Sequence, residues 1–198
     1  MKKRYVTAVV SLVSLIAAIA APVQAVAEDN VVVNSMTDRT GRSDLGLQLA
    51  GGFSSDQIDD ALYVGGVYSY GVNPWLALGV EAGWQEADFD ITNDDDLNML
   101  TAFGEVIGRA SIPDWAGVPY GVIGIGVLHA YTDVVSDNDD ETAFAMKFGA
   151  GLDWFLTPKW ILNVEAAYIA TGGEINSGIA NTEDLDHWRV GGGLKFVF

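Results

Sequence analysis

"TAFAMKFGAGLDWFLTPKWILNVEAAYIAT" occupies residues 142–171, and its side chains sort at a period of two. In its first half Phe144, Met146, Phe148, Leu152 and Trp154 share one parity, with Lys147 and Asp153 on the other. In its second half Trp160, Leu162, Val164 and Tyr168 share a parity, with Asn163 and Glu165 opposite. Such alternation belongs to β-strands with two unlike faces. Between the halves, "LTPKW" at 156–160 holds a Pro that suits a turn and stops a strand, so the two strands form a hairpin. The charged residues share their face with Gly and Ala, and the bulky residues take the other. A small closed sheet has little interior room, so the bulky face must point outward. An outward apolar band of that size is rare on a soluble monomer and calls for lipid around it. A secreted, lipocalin-type barrel would have the opposite sense, apolar inside and polar outside.

The same pattern spreads in both directions. Eight period-two segments fall at about 43–53, 61–72, 76–88, 97–112, 118–132, 142–156, 160–171 and 186–198. In the second, Leu62, Val64, Tyr68, Tyr70 and Val72 make the apolar face. The fifth is the least patterned, because Ile123, Ile125 and Val127 make both its faces apolar. Tight connectors at 72–75, 112–117 and 156–160 alternate with longer ones at about 54–60, 89–96, 133–141 and 172–185. Short turns on one side, long loops on the other and an even number of strands describe an outer-membrane barrel. The fold class read from the chain is therefore all-β: an eight-stranded, antiparallel, up-and-down transmembrane β-barrel over residues 43–198, with the tight turns and both termini in the periplasm. Trp75, Trp115, Tyr120, Trp160 and Phe198 fall near the turn side, and Phe53, Trp84, Phe89, Tyr131, Phe144, Tyr168 and Trp188 near the other. These are expected to be the two aromatic girdles of a membrane wall.

The beginning of the chain agrees with export. Lys2, Lys3 and Arg4 precede an apolar run from Val6 to about Ala21, followed by small-x-small sites ending at Ala25 and Ala27. Residues 1–27 read as a cleavable signal peptide, and residues 28–42 as a polar lead-in. The run is shorter than the ~20 residues a spanning helix needs. Formal charge is −17, which excludes a phosphate-binding role on nucleic acid. With no cysteines, disulfides and thiolate metal sites are unavailable. No cofactor is expected.

"SYGVNPWLALGVEAGW", "VPYGVIGIGVLHAY", "FGAGLDWFLTPKWILNVEAAY" and the terminal "GGGLKFVF" resemble the eight-stranded outer-membrane barrels of the OmpA-like and porin-family type. The resemblance covers roughly 43–198. It implies residence in the Gram-negative outer membrane, contact with its lipid and lipopolysaccharide, and passage through periplasmic chaperones and the barrel-assembly machinery. In that family a last strand ending in an aromatic serves as the assembly signal, and Trp188, Leu194, Phe196 and Phe198 match it here. The implied role is non-enzymatic: envelope integrity and surface contacts, with a narrow channel for small solutes or apolar molecules as the alternative.

Three sets of residues are candidates for chemistry. By parity the lumen receives Glu81, Glu105, Arg109, Lys147, Asp153, Glu165, Arg189 and Lys195, with Gln85 and His129 beside them, and Arg189 and Lys195 are expected to face acids such as Glu81 and Glu165. Balanced charge in a narrow interior points to salt bridges that plug it, while an ion path would use the same groups as a gate. Gly191 and Gly193 would leave space for long side chains opposite. The long connectors and the strand ends beside them carry 18 acids and no Lys or Arg. Among them Asp94, Asp95, Asp96, Asp137, Asp139, Asp140 and Glu141 have the hard oxygens that divalent cations prefer, without the spacing of a known calcium loop. Finally, His187 near Ser177 and Asp186, and His129 near Ser136, are the only His–Ser neighbourhoods, and neither sits in a hydrolase motif.

Overall fold

The computed structural model describes residues 37–53, 58–89, 96–132, 141–172 and 186–198. Eight strands run through them: β1 (Ser43–Phe53), β2 (Ile58–Asn73), β3 (Leu76–Phe89), β4 (Asp96–Arg109), β5 (Gly117–Thr132), β6 (Glu141–Phe155), β7 (Trp160–Thr171) and β8 (His187–Val197). Each pairs antiparallel with the next, and β8 returns to β1, closing the barrel. The seam runs from Asp44 opposite Val197 to Phe53 opposite Trp188. Ser43 and Phe198 continue it, exchanging backbone hydrogen bonds of 3.0 and 2.9 Å. Closure leaves no strand edge, which is the condition for strands to lie in hydrocarbon.

The alternation decides what each face meets. Leu45, Leu47, Leu49, Val80, Leu100, Val106, Ile123, Ile125 and Phe148 stand exposed on the outer wall. The opposite parity is buried in the lumen, including the ionic residues Glu81, Glu105, Lys147, Asp153, Arg189 and Lys195. The ambiguous fifth segment resolves the same way. Val118, Tyr120, Val122 and Leu128 fill the interior, while Ile123, Ile125 and Val127 lie outside. Trp188, Leu194 and Phe198 are exposed on the outer wall as expected, and the Phe196 ring sits edge-on to Trp160 at 5.1 Å between centroids.

Several sequence expectations are corrected. β2 starts at Ile58 rather than 61, because the backbone of Ile58 pairs with Phe89 past an irregularity that polar side chains do not prevent. The first long connector therefore shrinks to 54–57, and Asp59 and Asp60 belong to a strand. β4 stops at Arg109 rather than 112, where Pro113 and a left-handed Asp114 (φ 64°) begin the turn. Tyr120 does not join the girdle. It points into the lumen, since its parity is that of Val118 and Val122. His129 has the other parity and leaves the lumen, its Nδ1 lying 2.9 Å from the Thr142 hydroxyl. Trp154 is covered by Trp115, which packs edge-on at 5.7 Å between centroids.

Glycines shape the interior differently from the expectation. A Cβ at Gly191 or Gly193 would strike the backbone of β1 at Leu49 or Leu47, so these residues permit close approach of the two seam strands. Room for a long side chain comes instead from Gly65 and Gly83, where a Cβ would collide with the Tyr63 ring. The signal segment 1–27 and the lead-in up to residue 36 lie outside the described residues.

The outward parity makes a direct forecast. Ile125, exposed near the middle of β5, should lose about 2–4 kcal/mol of folding stability on replacement by Arg, the cost of a charge at the bilayer midplane. Equilibrium urea titration in lipid vesicles reads this loss. A neutral result would mean that this wall does not face hydrocarbon.

Candidate functional site: the paired lumen

Among the described residues, ten ionic side chains face the lumen in two groups. The central group holds Glu81, Glu105, Lys147, Glu165 and Arg189. The Lys147 ammonium is the hub, with Glu81 at 2.6 Å, Glu105 at 2.7 Å and Glu165 at 2.8 Å. Register explains the meeting: these residues face inward from β3, β4, β6 and β7 near the middle of each strand. Arg189 on β8 pairs with Glu81 and lays its guanidinium over the Tyr63 ring at 3.9 Å. The Tyr63 hydroxyl donates to the same Glu81 at 2.9 Å. A lone ammonium in so dry a space would be costly, and three carboxylates compensate it.

The second group lies toward the tight turns and holds Asp44, Arg109, Asp153 and Lys195, joined by Arg39. Lys195 pairs with Asp153 at 3.0 Å, not with Glu165 as parity alone suggested. Register through Ile161 sets Lys195 level with Phe155, two residues from Asp153, and Glu165 is already taken by Lys147. Asp44 accepts from Ser69 at 2.9 Å and has Arg109 at 3.5 Å, and Arg109 also donates to Ser69 at 2.9 Å. Arg39 falls within the segment that the sequence marks as a polar lead-in. Instead it is buried inside the barrel end, with Asp44 at 2.6 Å and Asp153 at 2.5 Å. No periodicity could have marked it, because it precedes the first strand.

A polar bridge links the groups. The Asn163 amide nitrogen donates to Asp153 and to the Tyr120 hydroxyl, both at 2.8 Å, and that hydroxyl donates to Glu165 at 2.7 Å. Gln48 donates to the Asn163 carbonyl at 3.0 Å. On the long-loop side Ala61, Met99, Phe103, Leu128, Ala130, Ala145 and Ile169 form an apolar cluster inside the barrel. Gln85 faces inward as expected, although neither atom of its amide has a partner among the described residues. At the turn end Val118, Phe155, Ile161 and Val197 make an apolar floor. Outside the wall, the Asp38 carboxyl is held below its usual range, chiefly by the Thr40 hydroxyl donating to it at 2.7 Å.

Other candidates are not assembled by the described structure. Asp94, Asp95, Asp137, Asp139 and Asp140 lie outside the described residues, as do Ser136 and Ser177; Asp96 and Glu141 open β4 and β6. Among the described residues no cluster of His and carboxylate side chains has the arrangement of a metal site. His187 is buried on the lumenal side of β8. Its neighbour Asp186 is engaged by the Tyr168 hydroxyl at 2.6 Å and the Thr171 backbone at 2.7 Å.

This chain belongs to the family described as the outer membrane protein beta-barrel domain, whose pattern matches residues 11–198. Solved structures share the fold. Neisserial surface protein A superimposes with a TM-score of 0.63 at 14% identity, over 79% of this chain and 96% of that one. OprG from Pseudomonas aeruginosa gives 0.56 at 17% identity, over 82% and 98%. Ail, the attachment invasion locus protein of Yersinia pestis, gives 0.55 at 14%, over 80% and 99%. No curated protein matches the sequence. The family places the protein in the outer membrane; identities this low carry the architecture alone.

The pairing has a measurable cost when broken. Lys147→Met leaves three carboxylates around an apolar side chain and should remove about 3–5 kcal/mol of stability, the range for one partner lost from a buried pair. Gln85→Met deletes an amide with no partner among the described residues and should change stability by less than ~1 kcal/mol. Urea titrations of the two variants side by side test this, and equal losses would show that ion pairing does not hold the lumen.

Proposed function

We propose that this protein is a non-enzymatic outer-membrane barrel whose wall and acidic loops serve envelope integrity and surface contact, with a lumen held shut by its own charges. One observation carries the reading. Five acids (Asp44, Glu81, Glu105, Asp153, Glu165) and five bases (Arg39, Arg109, Lys147, Arg189, Lys195) face inward and are consumed by one another. Eight strands leave an interior about filled by side chains, so paired ions there act as packing rather than as a path.

The surplus acid lies elsewhere, in the long connectors between the strands, which carry 12 acids and no base. Such loops suit cations. Divalent ions held there could bridge to lipopolysaccharide phosphates, tying the protein to its surrounding lipid. Ail has been solved with the heparin analogue sucrose octasulfate. A polyanion of that kind suits a basic surface, and the loops of this chain would repel it. Biogenesis in this reading uses periplasmic chaperones and the barrel-assembly machinery, with Trp188, Leu194, Phe196 and Phe198 as the terminal signal.

Two measurements decide. Planar-bilayer recording of the purified protein should show no steady conductance; discrete openings that change on Glu105→Gln would establish the narrow channel instead. Titration calorimetry with Ca²⁺ on the folded barrel should give saturable heat that is lost when Asp94, Asp95, Asp96, Asp139 and Asp140 are all changed to Asn. Heat no larger than ionic screening would remove the cation role.

A further inference from the structure

We infer that residues 37–42 form a docked strap that closes the turn-side mouth of the lumen, locked by Arg39 and able to swing out at Gly41. Arg39 belongs to no strand, yet only 1% of it is exposed. It bridges Asp44 on β1 and Asp153 on β6, strands that are not neighbours in the wall. The side chain therefore reaches across the barrel, and its guanidinium also lies 5.6 Å from the centre of the Phe155 ring in the apolar floor.

The backbone is docked as specifically as the side chain. The Gly41 amide donates to the Gly71 carbonyl at 2.8 Å, and the Gly71 amide donates to the Arg42 carbonyl at 3.0 Å. A Cβ at Gly71 would run into the Arg39 carbonyl, so the strap passes where β2 has no side chain. Asp38 braces the strap from within, accepting from the Thr40 amide at 2.9 Å and hydroxyl at 2.7 Å. The joint between strap and barrel is Gly41, at φ +70° with open space beside it. Glycine adopts that conformation without the cost other residues bear.

Charge distinguishes a removable strap from a permanent strut. With Arg39 docked, the lower group has three bases against two acids. With Arg39 withdrawn, Asp44 keeps Arg109 and Ser69, and Asp153 keeps Lys195 and Asn163. The undocked group is two against two, and no carboxylate is stranded. Both positions of the strap therefore leave the buried acids paired, as a two-position element requires. Swinging out exposes the buried side chains around Ser69 and Asp153, while the Lys147 layer above them stays shut.

The absence of native cysteine makes the test clean. Ser69→Cys reports access behind the strap, and Thr101→Cys, buried on β4 toward the long loops, reports the other side of the charge layer. With a cationic methanethiosulfonate reagent on protein in detergent micelles, both thiols should react slowly. Adding Arg39→Ala should speed labelling of Ser69→Cys by about tenfold or more, as a shifted local opening equilibrium would, and leave Thr101→Cys unchanged. Gly71→Ala should act alike without touching any charge, and it answers the question alone if the Arg39 variant does not fold. Ser69→Cys that is fast before either change, or unaltered by both, overturns the strap. So does an equal rise at Thr101→Cys, which would mean a loosened barrel.

Discussion

A backbone amide left unpaired in hydrocarbon costs several kcal/mol, with no water to share the loss. In this chain that constraint is met at the seam, where β8 lies antiparallel to β1 from Val197 to Trp188. The seam strands can come so close because Gly191 and Gly193 present no Cβ to the β1 backbone. Once the sheet is closed, alternation has no remaining freedom. One parity must enter a narrow tube and the other must meet whatever surrounds it, so the positions of ionic residues follow from closure.

Those residues then have to satisfy one another. Lys147 is compensated by three glutamates from three other strands, and Asp153 by cations from β8 and from the segment before β1. Such contacts form only when the register of each hairpin is right. A one-residue slip would turn the charged face of a strand into the wall. The lumen therefore reports on the whole topology, which suits groups whose net contribution to stability is small when paired and strongly unfavourable when not.

Much of this was legible before the structure, for a physical reason. A period of two is a local property, and Phe144, Lys147 and Asp153 declare their faces within one strand. Turn chemistry at Pro158 and Pro113 is local too. What escaped was what depends on two elements at once. Tyr120 looked like a girdle residue because aromatic identity and position near a turn say nothing of parity when both faces are apolar. A polar His129 invites an inward placement, whereas its parity sends it out. The partner of Lys195 depended on depth along β6 against β7, and Arg39 on a path through space beside Gly71 that only the folded barrel defines. The loop acids could be counted but not arranged.

The two ionic groups also differ in sign. The central one has three carboxylates to two cations, and the one toward the turns has three cations to two carboxylates. Their sum is zero, yet stacked along the axis they make a dipole inside a low-dielectric tube, where such fields are weakly screened. A cation arriving from the turn side first meets surplus positive charge. An anion drawn past it next meets surplus negative charge. Whatever the sign of a charge brought to the tube, one of the two layers opposes it, although the interior carries no net charge of its own.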